Sequence, residues 1–211
     1  MKIKSPKVNS GDLVSFYDVL NNEELSNYVF EENVDDGLEF VDNIFDACVF
    51  KGINFSNIKF KDIDLVDCVF ENCDLSNLIF DNKYLNRVSF KNCKFLATSF
   101  IGSSLKDVSF EGCQSKYLNF SNSKLNNVLF KDSNLSEASF MEAINKNLFF
   151  DNVDLYRAEF VKINLNTVDF SNSDISGVMF DMNSLKGIVV DEFQCKNLIT
   201  MFGVNVRGMV D

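Results

Sequence analysis

A five-residue period runs without a dropped or inserted position from Phe40 to Val190, and it constrains this chain more than any other feature. Phe stands at every tenth position from Phe30 to Phe180, sixteen in succession. The intervening multiples of five are mostly Leu, as at Leu65, Leu85, Leu105, Leu125 and Leu165, and a small or β-branched residue such as Cys68, Val88 or Ala138 precedes most of the apolar positions by two. A strand turns alternate side chains to one face, so a pair at spacing two, such as Cys68 and Phe70, points inward together. The other three residues of each quintet must carry the chain outward and around a corner. They are turn formers, as in Glu71-Asn72, Ser76-Asn77, Asp81-Asn82 and Ser121-Asn122, with Gly52, Gly102, Gly112, Gly177 and Gly187 in the same slots. Asn and Gly tolerate the left-handed backbone that tight corners need. A corner every five residues predicts a square coil that closes after four sides.

Two patterns support a coil of twenty residues. Cys recurs at that lag, in Cys48 and Cys68 and again in Cys73, Cys93 and Cys113. Charge alternates at the same lag through Lys51, Glu71, Lys91, Glu111, Lys131 and Asp151. Coils stacked at strand spacing bring opposite charges side by side, each pair contributing about 0.2–1 kcal/mol, and a slip of one coil would oppose like charges. Residues 40–190 then form about seven and a half coils, a rod on the order of 36 Å long, with two opposite Phe columns and two mainly Leu columns inside.

Composition narrows the function. The chain has no His, which removes the commonest general base and metal ligand. No nucleophile and base stand at a useful spacing, and no Gly-rich phosphate loop or dinucleotide fingerprint occurs. Five of the six cysteines share the inward phase and no CxxC is present, so they read as small core residues of a reduced, cytoplasmic protein rather than as a metal or disulfide set. No long apolar run suggests a membrane span or secretory signal. The expectation is a non-enzymatic protein with no cofactor and no metal.

The unbroken quintets resemble the pentapeptide-repeat family over about three quarters of the chain. That resemblance implies an all-β fold, a right-handed quadrilateral β-helix. It divides the chain into an N-terminal cap and irregular first coil (1–39), the repeat (40–190) and a C-terminal segment (191–211). The length, the acidic balance and the ending are similar to those of the stand-alone Qnr- and MfpA-like members. Those bind DNA gyrase and topoisomerase IV as DNA mimics and protect them from quinolones or toxins. The unbroken register leaves no room for the out-of-phase loops that many Qnr proteins project. By the same resemblance Phe193, Leu198, Met201 and Phe202 would form the contact of a homodimer, with capping of the open rod end as the alternative.

The ends and the surface add detail. Residues 1–9 are basic through Lys2, Lys4 and Lys7, whereas residues 8–50 carry eleven acids and no base. Residues 51–190 carry seventeen acids and fifteen bases, so the net charge of −11 sits mainly at the N-terminal end. Asp35, Asp36 and Glu39 are therefore candidate partner residues. The sequence predicts a short helix over Leu13–Leu20 capped by Ser10-Gly11-Asp12, a helix after Asp191, and a strand at Val204–Val206. Lys83, Ser115 and Asn145 interrupt the inward positions. Lys83 is expected to turn outward and bend the wall, and Ser115 and Asn145 to be satisfied polar groups or small bulges. Exposed apolar residues around Met141, Phe149 and Tyr156 form a second candidate surface, which fits a scaffold for an unknown cytosolic partner. No basic patch supports direct nucleic-acid binding.

Overall fold

Backbone geometry at every fifth residue builds the molecule. From Asp42 to Thr167, each described residue in the corner phase has a positive φ, for example Asn72 at 56°, Asn92 at 53° and Asn122 at 59°. The computed structural model describes residues 3–22, 24–33, 37–55, 58–201 and 203–207. Between corners the chain forms short parallel strands whose partners lie twenty residues away, as in Phe70 with Phe90, Phe90 with Phe110 and Phe110 with Phe130. The result is a parallel β-solenoid of about 8 turns with a short C-terminal helix.

The four walls can be numbered in chain order. The first carries Leu65, Leu85, Leu105 and Leu125, the second Phe70, Phe90, Phe110 and Phe130, the third Leu75, Phe95, Ser115 and Leu135, and the fourth Phe80, Phe100, Phe120 and Phe140. Two kinds of corner join them. On either side of the fourth wall the inward residue's carbonyl accepts the amide three residues on, as from Leu78 to Leu75 (3.3 Å) and from Ser103 to Phe100 (3.2 Å). With a positive φ at the third residue, this is a type II turn. Between the first and second walls the strand instead runs straight through the corner, giving the eight-residue strands Tyr84–Lys91, Ser104–Glu111, Lys124–Lys131 and Ile144–Asp151.

The interior is filled. Phe rings stack within their columns at coil spacing, Phe70 on Phe90 at 4.9 Å and Phe100 on Phe120 at 5.2 Å, and meet edge-on across the rod, Phe110 to Phe120 at 78°. Burying each such side chain contributes roughly 1.5–3 kcal/mol before chain ordering is subtracted. The small inward residues have a second task. Their thiols and hydroxyls donate to carbonyls of the preceding coil, Cys68 Sγ to Phe45 O at 3.2 Å and Thr98 Oγ1 to Leu75 O at 2.8 Å.

Both ends are closed by helices. The N-terminal helix spans Phe16–Val19 with Ser15 as its cap and Asp18 completing a capping box, so it is shorter and starts later than the sequence predicts; Asp12–Leu13 is a strand paired with Tyr28–Val29. A cap needs its hydroxyl two or three residues before the amide it serves, and Ser15 meets that with Phe16 on the buried side. Phe16 stacks on Phe30 at 4.2 Å and continues the second-wall column beyond the first coil. The ladder is already regular there, since Glu24–Ser26 pairs with Ile44–Asp46 and Tyr28–Phe30 aligns with the strand Val49–Lys51.

The C-terminal helix spans Glu192–Thr200 and is capped by Asp191. Gln194 accepts from the Asp191 amide at 3.0 Å and donates to Phe170 O and Ser173 O at 2.9 and 2.7 Å, which fastens the helix over the last coils. The strand expected at Val204–Val206 does not form: residues 204–207 carry no regular structure and make no backbone pairing with another described residue.

Candidate functional site

With the interior full, the chemistry available to a partner lies on the walls, and each wall has its own. The third presents polar groups, Asp74, Lys94, Gln114, Asn134 and Asp154, with Asn134 Nδ2 donating to Asp154 at 2.9 Å. The edges of the fourth collect exposed apolar side chains: Leu96, Tyr117 and Tyr156 on one side, Ile101 and Met141 on the other. Lys116 and Arg157 lie over the rings of Tyr117 and Tyr156 at 4.8 and 5.0 Å.

The residues singled out in the sequence divide among these walls. Met141 and Tyr156 border the fourth wall and Glu39 lies on it nearer the N-terminus, all three exposed. Phe149 points out from the second wall, on the opposite side of the rod, and is only half exposed. A four-sided coil separates positions 141 and 149 by almost two corners, so Met141, Phe149 and Tyr156 do not make one patch. Asp35 and Asp36 lie outside the described residues. Exposed acids nevertheless surround this end: Glu24 on the first wall, Glu31 and Glu32 after the second, Glu39 on the fourth, and Asp42 and Asp46 at corners.

The charge ladder stands as the lag predicts. Glu71 is the register partner of both Lys51 and Lys91, and Lys131 of both Glu111 and Asp151. It extends one coil further, since Lys51 Nζ is 2.8 Å from Glu31. These pairs are about half exposed, so each adds little stability and their main effect is on register.

Nothing in the periodicity shows where the basic N-terminus goes. It runs along the rod axis beside the corner between the first and second walls. The Lys7 amide donates to Asp67 Oδ1 at 2.8 Å and the Lys4 amide to Asp107 Oδ1 at 3.3 Å. Three extended residues cover roughly 10 Å, which equals two coil spacings, and Pro6 between them has no N–H to leave unpaired. Beneath it Asp67 binds Arg87 through both oxygens, at 2.6 and 2.5 Å, and Asp107 accepts from Asn127 at 3.0 Å. Burial pushes the Asp67 carboxyl up, but the Arg87 guanidinium and the Lys7 amide outweigh it and hold it below the usual carboxylate range. The arm covers part of the second wall, leaving the outward-facing Val69 only 8 % exposed.

Of the three interruptions of the inward pattern, Lys83 sends its ammonium outward as expected but without bending the wall. The residue keeps its place in the turn, its amide reaching Phe80 O. Its flexible stem carries the ammonium out to Asp62 at 2.6 Å. Ser115 is fully buried and its hydroxyl has no partner, and the Asn145 carbonyl oxygen is likewise buried without one. Neither is the satisfied group the sequence suggests: the Ser115 hydroxyl and the Asn145 Oδ1 are each left without a partner.

Of the residues expected to form a dimer contact, Phe193 is 75 % and Met201 47 % exposed on the C-terminal helix. Leu198 packs against the core, and Phe202 lies outside the described residues. Buried thiols are held back from reaction: burial pushes Cys48 up to about 11 and Cys113 up to about 12, while Cys195 is exposed.

A family model described as a pentapeptide repeat region matches residues 63–140, and one described as pentapeptide repeats (8 copies) matches residues 149–181, between them more than half of the chain. The chain belongs to the pentapeptide-repeat family. Its fold is accordingly the right-handed quadrilateral β-helix of that family. Among solved pentapeptide-repeat structures, full-length QnrB1, described as a plasmid-mediated fluoroquinolone resistance protein, is 20% identical, with 92% of this chain and 96% of that one covered and a TM-score of 0.49. HetL from the cyanobacterium Nostoc sp. strain PCC 7120, described as involved in heterocyst differentiation regulation, is 15% identical over 84% and 94% with a TM-score of 0.36. No curated protein matches the chain.

Proposed function

We propose that this pentapeptide-repeat protein is a non-enzymatic binding rod that engages a type II topoisomerase, DNA gyrase or topoisomerase IV, in place of DNA and so protects it from quinolones or toxins. The observation that carries this reading is the ring of exposed carboxylates at the N-terminal end of a stiff rod with a filled interior. A basic cleft that holds duplex DNA is built for negative charge on a rod-shaped surface. Glu24, Glu32, Glu39, Asp42 and Asp46 supply it on several sides of the rod at once. The C-terminal helix turns Phe193, Ile199 and Met201 outward, which suits a homodimer joined end to end with an acidic tip at each end.

Competition tests it: labelled duplex DNA bound to gyrase should be displaced by the purified protein, and the triple variant Glu39→Lys, Asp42→Lys, Asp46→Lys should compete at least about tenfold less well. Charge attraction between exposed groups is screened by salt, so displacement should also fall steeply between low and physiological ionic strength. Wild type that leaves the duplex bound at all salts would overturn the reading.

A second reading has its own observation. The apolar side chains at the edges of the fourth wall suit a protein partner recognised with little salt dependence, for which Tyr156→Ala and Met141→Ala should abolish binding while the acid reversals leave it intact.

A further inference from the structure

Two seams in the rod lack rungs on two adjacent walls. At the earlier one the rungs from Ile79 N to Ile58 O and from Tyr84 N to Ile63 O are missing, but the Asp64 carboxylate bridges it by accepting the Tyr84 amide at 3.1 Å. The later one has no such bridge on its first wall. On the first wall the rungs run from Asp64 N to Asn43 O (3.1 Å), Ser104 N to Lys83 O (2.8 Å), Lys124 N to Ser103 O (2.7 Å) and Ile144 N to Ser123 O (2.8 Å). The next rung, from Asn164 N to Ala143 O, is missing. On the second wall the rung from Asp169 N to Leu148 O is missing, and the ladder resumes only at Val189 N to Val168 O (2.9 Å). The third and fourth walls hold across the same seam, through Asp174 N to Val153 O and Met179 N to Ala158 O, both at 2.9 Å.

The residues at the later seam account for the gap. Asn145 stands where the column above and below has Leu125 and Leu165. Its Nδ2 takes the Asn164 carbonyl at 2.9 Å, and its Oδ1 is left buried and unpartnered. Beyond it two corner bonds slip by one residue, while the one at Arg157 keeps its regular partner, Ser176 O. Regular corners reach nineteen residues on, Asn92 N to Glu111 O and Asp132 N to Asp151 O, but Asn152 reaches Asn172 and Thr167 reaches Gly187. Asn172 drops out of the positive-φ series, while the β-branched Thr167 is held at φ 69°. Two shallow surface hollows of about 220 and 500 Å³ lie along the seam, one beside Asn145 and Asn164, the other between Phe149 and Thr167.

We propose that this seam is a joint, at which the coils on either side open along the first and second walls while the bonded third and fourth walls serve as the hinge line. The rod is then two stiff segments. The C-terminal coils and helix tilt relative to the acidic end, which lets a binding rod follow a curved surface. The stack of Phe150 on Phe170 at 5.2 Å closes the joint at rest.

Spin-label distances in the full chain test this, in a Cys195→Ser background with the five buried thiols unlabelled. The pair Ser104→Cys and Asn164→Cys crosses the open side of the seam. The pair Tyr84→Cys and Ile144→Cys spans as many coils, three, of the first wall where every rung is made. Both separations are on the order of 14 Å before the labels are added. The joint requires a distance distribution at least about twice as broad for the crossing pair, narrowing to the control width when Asn145→Leu refills the column. Equal widths in the wild type would overturn the proposal, and a crossing pair that stays broad in Asn145→Leu would overturn the role given to Asn145. If that variant does not fold, the comparison of the two wild-type widths still decides whether the joint exists.

Discussion

At the scale of single residues, this rod is decided by whether each inward group finds a partner. Ser115 does not, and its buried hydroxyl is a net cost of about 1–3 kcal/mol. Thermal unfolding should therefore show Ser115→Ala to be as stable as the wild type or more stable by about 1 kcal/mol, whereas Ser115→Leu should overpack against Phe95 and lose about 1–3 kcal/mol. Asp67 is the opposite case, a buried carboxylate with a bidentate Arg87 and the Lys7 amide. Because its folded pKa is depressed, the stability it contributes is present above the unfolded carboxylate value near 4 and is lost as pH falls through the folded one. Acid unfolding of Asp67→Asn should accordingly show a weaker dependence on pH below about 4, and Asp67→Ala should cost roughly 3–5 kcal/mol at neutral pH by stranding Arg87. The thiols give a simpler reading. One of six, Cys195, should react with a thiol reagent in the native protein and the other five only on unfolding.

At the scale of elements, the coil was largely legible in the sequence and its exceptions were not. The alternation of Cys68 and Phe70, the corner Asn residues and the charge ladder all express one twenty-residue period, and each maps to a geometric necessity of parallel strands. The N-terminal arm has no period, and its docking depends on two carboxylates, Asp67 and Asp107, that look like ordinary corner residues. The later seam was half legible: Asn145 breaks the inward pattern, but Leu165 and Phe170 keep perfect phase, so the pattern does not show that their backbone has let go of the coil before. Met141, Phe149 and Tyr156 are close in sequence, yet the corners between them place Phe149 on the far wall. On the C-terminal helix, Phe193→Ser and Met201→Ser should leave thermal stability within about 0.5 kcal/mol, because both side chains are exposed in the single chain. If the helix is the dimer contact, sedimentation of that double variant should shift to the monomer.

At the scale of the whole molecule, the parts combine into a rod whose interior is given over to stability and whose surface is divided by wall and by end. The acids at the N-terminal coils, the apolar edges of the fourth wall and the outward face of the C-terminal helix are three separate surfaces, and the proposed topoisomerase contact uses the first. The most direct test is supercoiling by gyrase with and without ciprofloxacin while the purified protein is titrated at two salt concentrations. Recovery of supercoiling in the presence of the drug, or inhibition without it that weakens at the higher salt, is the predicted result. Supercoiling that is unaffected by the protein under every condition, for gyrase and topoisomerase IV alike, would contradict it.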